Sequence, residues 1–307
     1  MCPYVVEPKA LLDIRNMLQS MGKHISSFPL PKINESYDAT SSEAREIIEE
    51  SMIEVDREHI CLEDSLNPEH MYAYNEILAE VDSGNGGVFF VDGPRGTRKT
   101  YLYKSLLAKV RSEDKIVVAT VMSGVAASIL PGGRTVHSRF KIPLNIEDGG
   151  VCSFTRQSET TKLLMRASLI IWDEASMTKR QAVEALDSNM RDIIGRCDLP
   201  FGGKIYVFGG DFRQVFPVVW KGTRPQITDA TLRKSYLQES MQQLRLVHNM
   251  RAQSNPWFSK YLLRIRNGIE DTVDDGYFWG FSLRTSTLLP HQLALADKQV
   301  IGGFVDH

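Results

Sequence analysis

The chain of 307 residues is 42% hydrophobic and 24% charged, which excludes collagen-like, mucin-like and wholly disordered proteins and leaves room for one large α/β domain or two smaller units. It has no run of the ~18 apolar residues that a membrane helix needs, and Met1-Cys2-Pro3-Tyr4 lacks the basic-then-apolar order of a secretion signal, so an intracellular protein without membrane contact is expected. Its net charge of −2 hides a division: Glu35 to Asp92 holds 16 acidic and 2 basic residues, and Arg95 to Lys141 holds 10 basic and 2 acidic, which points to a polyanion partner for the second stretch or to charges that merely solvate helix faces.

Residues 1–61 read as a helical lead-in and linker. Leu11-Leu12-Asp13-Ile14 suits a short helix and Phe28-Pro29-Leu30-Pro31 an extended stretch. Thr40-Ser41-Ser42-Glu43 has capping-box spacing, and Ile48, Met52 and Val55 recur on one face, so one helix is expected to about Ile60. From Leu66 onward, short apolar runs alternate with helical patterns, which predicts a mainly parallel sheet with crossover helices. The strands are Val88 to Val91, Ile116 to Val121, Leu169 to Trp172 and Ile205 to Phe208. Each ends in Gly, Ser or Asp at the carboxyl edge, where open α/β sheets bind ligands. Residues 143–160 are polar and Gly/Ser-rich and read as a small insertion. The four cysteines, Cys2, Cys61, Cys152 and Cys197, have no paired spacing and read as reduced structural thiols.

The first strand runs into Gly93-Pro94-Arg95-Gly96-Thr97-Arg98-Lys99-Thr100, and Tyr101 to Val110 continues as a helix. This is nearly a phosphate-binding loop, in which backbone N–H groups and a helix N-terminus cradle phosphates, the lysine reaches the β and γ phosphates, and the hydroxyl binds magnesium. Gly93, Lys99 and Thr100 fit, and Arg98 stands where the second glycine belongs. There it either clashes and strains the backbone or adds a phosphate contact; a Gly-rich turn without nucleotide is the third reading. At the end of the third strand, Asp173 would hold Mg²⁺ with Thr100, and Glu174 would deprotonate the attacking water; Asp173 could instead cap the following helix. Phe208-Gly209-Gly210-Asp211-Phe212-Arg213-Gln214 brings Gln214 to the same edge, where a neutral donor and acceptor can bridge a phosphate oxygen and that water; a structural turn is the alternative.

Together these residues resemble the petite-integration-frequency DNA helicases of superfamily 1, particularly the plant forms and those carried by Helitron transposons. The likeness extends to Thr120-Val121-Met122-Ser123-Gly124-Val125-Ala126-Ala127 and to Gly132-Gly133-Arg134-Thr135-Val136-His137-Ser138-Arg139-Phe140, which resemble the family's motifs for coupling ATP to single-stranded DNA. Leu66-Asn67-Pro68-Glu69-His70 resembles its adenine-recognition motif, with His70 in place of the usual glutamine. Leu246-Val247-His248-Asn249-Met250-Arg251 makes Arg251 the candidate arginine for the γ-phosphate. The resemblance covers about Leu66 to Tyr277. It implies a RecA-like P-loop NTPase domain over residues 62–277, a nucleotide site of Gly93, Pro94, Gly96, Thr97, Arg98, Lys99, Thr100 and His70, and bound ATP with Mg²⁺. It also implies 5′-to-3′ movement along single-stranded DNA, with DNA junctions as further partners, and a nuclear location with the mitochondrion as alternative.

Residues 278–307 read as a short irregular tail that cannot contain a second motor domain, so a truncated monomer, or one whose partner supplies that domain, is expected. Ser123, Thr135, His137 and Ser138 are candidates for phosphate contacts, and His137 and Phe140 for base stacking. Met and aromatic residues around Trp257, Phe258 and Tyr261 fall at helical spacing and read as core. The competing readings are a non-catalytic single-strand-binding or transposon-relic fragment, told apart by Arg98, and, more weakly, a P-loop kinase.

Overall fold

A computed structural model of the chain describes residues 45–212 and 216–250, with the single positions 28, 257, 261 and 264. The predicted capping box at Thr40, the first lead-in helix, Gln214, Arg251 and the tail 278–307 lie outside the described residues. Described residues up to Gly93, with described residues of 98–247, form one compact unit; Pro94–Thr97 and the described residues from His248 onward form a second.

The first unit is built on a six-stranded sheet in the order β3-β2-β4-β5-β1-β6. Its strands are β1 (Gly87–Asp92), β2 (Val117–Val121), β3 (Arg134–Thr135), β4 (Leu169–Asp173), β5 (Ile205–Gly210) and β6 (Met241–Arg245). All the pairings are parallel, with Phe90 opposite Phe208 and Ala119 opposite Ile171. Parallel strands covered on both faces read as unbroken apolar runs, and β2 is buried throughout. Alternate residues feed two cores: Phe90, Val118, Ile170, Trp172, Tyr206 and Phe208 on one face, and Phe89, Val91, Ala119, Val121, Ile171 and Val207 on the other.

The helices are α1 (Arg45–Ser51), α2 (Arg57–Cys61), α3 (Pro68–Ser83), α4 (Lys99–Ser112), α5 (Gly124–Ala127), α6 (Val136–Phe140), α7 (Glu159–Arg166), α8 (Arg180–Ile194) and α9 (Arg224–Asp229). α3 and α4 cover one face of the sheet through Tyr74, Ile77, Leu102 and Leu106; α7 and α8 cover the other through Leu163, Leu164, Val183 and Leu186. Among the described residues no helix is long and apolar enough to cross a membrane.

Four expected strands form, each within two residues of its expected bounds. β3 and β6 are additions, one only two residues long and the other with Gln242, Gln243 and Arg245 exposed, so neither shows the continuous apolar run of the central strands. The single helix expected to Ile60 is two, broken after Ser51 and restarted by Asp56, whose carboxylate accepts the Glu58 N–H. Its inward face is Ile47 and Glu50, while Met52 is 74% exposed. The rotation follows charge: Glu50 meets Arg139 and Arg111. Residues 45–61 thus belong to the same compact unit as the sheet. The supposed insertion contributes Ile146, Cys152 and Phe154 to the core.

The charge division along the chain is resolved internally at several points. Glu49 pairs with Arg134 at 2.7 Å, Glu50 with Arg139 and with Arg111 at 3.5 Å, and Asp82 with Lys115 at 2.9 Å. These basic residues answer acidic residues of the preceding stretch. Among the described residues Cys61 and Cys197 are exposed free thiols and Cys152 a buried one.

Candidate nucleotide and DNA site

The sheet delivers the predicted chemistry to its carboxyl edge. Gly93 follows β1 and extends its ladder, donating its N–H to the Gly210 carbonyl at 3.2 Å. Lys99 and Thr100 open α4, and the Lys99 ammonium donates to the Gly93 carbonyl at 2.5 Å. The loop tip, Pro94–Thr97, is closed on itself: the Thr97 N–H and hydroxyl both donate to the Pro94 carbonyl, at 3.3 and 2.9 Å. Within the same unit the Gly96 carbonyl accepts the Met250 N–H at 2.8 Å.

Arg98 adopts the left-handed conformation, φ 57° and ψ 41°, as N-cap of α4. The turn that glycine would make is therefore made by arginine, at a cost of about 1–2 kcal/mol. The expected backbone strain is present. The side chain is exposed, and its guanidinium lies 5.6 Å from the Tyr101 ring centroid.

Asp173 is the last residue of β4, and its Oδ1 accepts the Glu174 N–H at 2.9 Å. Glu174, like Arg98, sits in the left-handed region, φ 59°, so both Arg98 and Glu174 hold strained backbone. Burial raises the Asp173 carboxyl above the usual carboxylate range, against the pull of the Lys99 ammonium, of the hydrogen bond from the Glu174 N–H and of the adjacent Tyr103 hydroxyl. The alternative of Asp173 as a helix cap is not realised: Glu174 precedes the short turn Ala175–Met177 without a side-chain cap.

Four residues to which sequence reasoning gave no role of their own complete this corner. Tyr103 is fully buried one helical turn after Lys99, with its hydroxyl beside Asp173. A Cβ on Gly209 would collide with that hydroxyl and lie 2.7 Å from Asp173 Oδ1; one on Gly210 would lie 2.7 Å from Ser176 Oγ. The paired glycines of β5 are thus required by close approach, and Ser176 Oγ accepts the Asp211 N–H at 3.2 Å. The lysine-plus-four spacing was the available signal for Tyr103.

His70 lies buried in the first turn of α3, where Asn67 Oδ1 accepts its N–H at 2.9 Å. Glu69 Oε2 in the same turn accepts the Val247 N–H at 2.7 Å. Ser123 follows β2 and caps α5, accepting the Ala126 N–H at 3.2 Å. Thr135 ends β3 and caps α6, accepting the Ser138 N–H at 3.4 Å. Ser138 is exposed and His137 half-buried, and that burial lowers the imidazole pKa. Phe140 corrects the base-stacking expectation. It is 0% exposed, with its ring 5.5 Å from Trp172 in the core. Trp257 and Tyr261 stack on one another at 5.2 Å, Tyr261 being buried and Trp257 exposed.

Thr100 and Asp173 offer oxygen donors, and no group of three or more His, Cys, Asp or Glu suited to a metal exists among the described residues. A desolvated carboxylate and a hydroxyl fit Mg²⁺, which keeps waters and phosphate oxygens as its remaining ligands.

A glycine-bearing loop from β1 to a lysine that opens α4, an acidic pair at the end of β4 and just after it, and an all-parallel sheet define a phosphate-binding-loop nucleoside triphosphatase domain of the RecA-like α/β class. The profile of the PIF1-like helicase family matches residues 65–276, and the chain belongs to that family. It is 33% identical over 155 residues to the ATP-dependent DNA helicase PIF4 of Trypanosoma brucei brucei, covering 49% of this chain and 18% of that protein. To the ATP-dependent DNA helicase Pif1 of Bdellovibrio bacteriovorus it is 30% identical over 190 residues, covering 60% and 40%. The crystal structure of Bacteroides Pif1 in complex with ADP-AlF3 and single-stranded DNA superposes with a TM-score of 0.54 at 27% identity, over 65% of this chain and 46% of that one. The matched region thus spans less than half the length of these relatives.

Proposed function

We propose that the chain is the nucleotide-binding motor domain of an ATP-dependent DNA helicase that couples ATP hydrolysis to 5′-to-3′ movement on single-stranded DNA and to duplex unwinding. The observation that carries this reading is the shared carboxyl edge: Gly93 follows β1, Asp173 and Glu174 end β4, and Ser123 follows β2, the strand next to β4. A change at β4 therefore lies one strand from a DNA candidate and two from the phosphate loop.

In this reading the loop amides and the N-terminus of α4 bind the triphosphate, and Lys99 leaves the Gly93 carbonyl to neutralise γ-phosphate charge. Glu174 takes a proton from water as its oxygen attacks phosphorus, the bond to the bridging oxygen breaks, and ADP and phosphate result. Thr100 and Asp173 would hold Mg²⁺, which would supply charge neutralisation on the phosphate oxygens. Gln214 and Arg251 keep their proposed roles as γ-phosphate sensor and γ-phosphate arginine, and His70 its place beside the base. Ser123, Thr135, His137 and Ser138 serve the DNA strand.

The finer assignments rest on the motif likeness: a plant or Helitron-type form, DNA junctions as substrates, and work in repair, recombination and telomere upkeep in the nucleus or mitochondrion. The same holds for a partner that supplies a second motor domain to an otherwise monomeric chain.

The test is equilibrium binding of a fluorescent ATP analogue with Mg²⁺, followed by ATP turnover with and without oligothymidylate. Micromolar binding and DNA-stimulated turnover are expected, both lost in Lys99→Ala. Oligonucleotide binding without nucleotide binding would leave a non-catalytic DNA-binding domain.

A further inference from the structure

The helix α1 carries three carboxylates that reach into the segment bearing the DNA candidates. Glu50 is 4% exposed and ion-pairs with Arg139, itself 2% exposed, and with Arg111 at 3.5 Å. Glu46 stands 3.7 Å from Arg139, and Glu49 bonds Arg134 at 2.7 Å. Just beyond α1, Ile53 Cδ1 lies against Gly132, where a Cβ would collide with it. The stretch Glu46–Ile53 therefore grips Gly132, Arg134 and Arg139, which bracket Thr135, His137 and Ser138. Its own footing is independent of that segment: the Arg45 N–H donates to Glu159 Oε2 of α7 at 2.7 Å.

This arrangement is poorly suited to stability alone. The Glu50 carboxylate is shared by two buried guanidiniums, and among the described residues Nε of both Arg111 and Arg139 lacks a hydrogen bond. Apolar side chains of equal volume would stabilise such a site as well or better. What an ion pair adds is direction, because a guanidinium fork fixes the orientation of the backbone that bears it. The helix α6 needs such a constraint. It has five residues, too few to persist on its own, and it is anchored in the core by Val136 and Phe140.

We propose that Glu50 is a positioning residue for the DNA-contact segment: by holding Arg139 it sets the rotation of α6, and so the direction in which His137 and Ser138 face the sheet edge. The proposal rests on the DNA-binding reading for its consequence, and not for its geometry.

The test uses the full chain, with hydrogen–deuterium exchange of the 134–140 segment, anisotropy of labelled oligothymidylate and binding of a fluorescent ATP analogue. In Glu50→Gln, exchange across 134–140 is expected to rise at least about tenfold while α4 and β4 keep their protection. Oligonucleotide affinity should fall about tenfold, and nucleotide affinity should hold within about twofold. Because one neutralised partner leaves two buried cations, the second variant is Glu50→Gln with Arg139→Gln, which removes a charge of each sign. It should show the same loss of local protection and of oligonucleotide affinity in a chain that melts cooperatively. Unchanged exchange in a folded variant would overturn the proposal, and so would loss of protection spread evenly over α4, β4 and α6. A parent chain that binds no oligonucleotide, with the local exchange effect still present in Glu50→Gln, would refute the DNA-binding reading and leave the positioning role standing.

Discussion

The Lys99 ammonium and the Gly93 carbonyl, six positions apart, close the phosphate loop on itself with a 2.5 Å hydrogen bond. On the proposed function, a phosphate must win the lysine from that carbonyl. Lys99→Met removes the charge-assisted contact and leaves the packing of α4 intact, since the buried side of that helix is Leu102, Tyr103, Leu106 and Leu107. Fluorescence titration should show triphosphate affinity lowered about 10- to 100-fold, with the melting temperature essentially unchanged.

Arg98 holds a conformation that favours glycine, φ 57° with its side chain exposed. Arg98→Gly releases that strain and loses only the contact with the Tyr101 ring, while adding freedom to the unfolded chain. The net effect should be stabilisation by about 0.5–1 kcal/mol, read by urea denaturation. Because the loop already has its turn, nucleotide affinity should change less than about threefold between parent and variant. Binding in the variant alone would show that the arginine blocks the site.

Phe140 and Ser138 sit two positions apart with opposite surroundings. Phe140 is fully buried against Trp172, and Ser138 is exposed. Phe140→Ala should cost about 3–5 kcal/mol of folding stability through the cavity it leaves. Ser138→Ala should stay within about 0.5 kcal/mol of the parent and weaken oligonucleotide binding only. Chemical denaturation of the two variants separates a core residue from a surface contact.

That pair also marks what was legible in the sequence. The central strands β1, β2, β4 and β5 were readable because strands buried on both faces need continuous apolar runs, and the glycines and carboxylates ending them identify the phosphate loop and acidic pair. Phe140 was misread because a motif fixes order along the chain and says nothing of which side of a one-turn helix faces the core. The rotation of α1 was misread for a related reason. Apolar spacing favoured Ile48, Met52 and Val55, whereas the deciding partners of Glu50, Arg111 and Arg139, lie far along the sequence. Tyr103 and Ser176 act through Asp173 and Asp211 across the sheet, and no local pattern encodes such contacts.

Cys152 offers a test of the core formed by the 143–160 segment. Its thiol is buried and burial pushes its pKa up to about 12, while Cys61 and Cys197 are exposed. At pH 8 a thiol-specific reagent should modify Cys61 and Cys197 within minutes and leave Cys152 untouched until denaturant is added, with the sites assigned by mass spectrometry. Early labelling of Cys152 would mean that this segment is not packed as described.

If His137 contacts DNA as proposed, it should tie stability and oligonucleotide binding to pH in opposite directions. Burial lowers its pKa below the ordinary value of 6.5, so the unfolded chain takes up this proton at a higher pH than the folded chain does. The group's contribution to stability is therefore complete above pH 6.5 and is lost as pH falls through 6.5 toward the folded value. A phosphate backbone favours the protonated ring, so oligonucleotide affinity should rise over the same descent. In His137→Gln both trends should flatten: the melting temperature should fall less between pH 7.5 and pH 5.5 than in the parent, and the gain in affinity should shrink. Parent and variant curves that run parallel in both measurements would remove His137 from the DNA-contacting set.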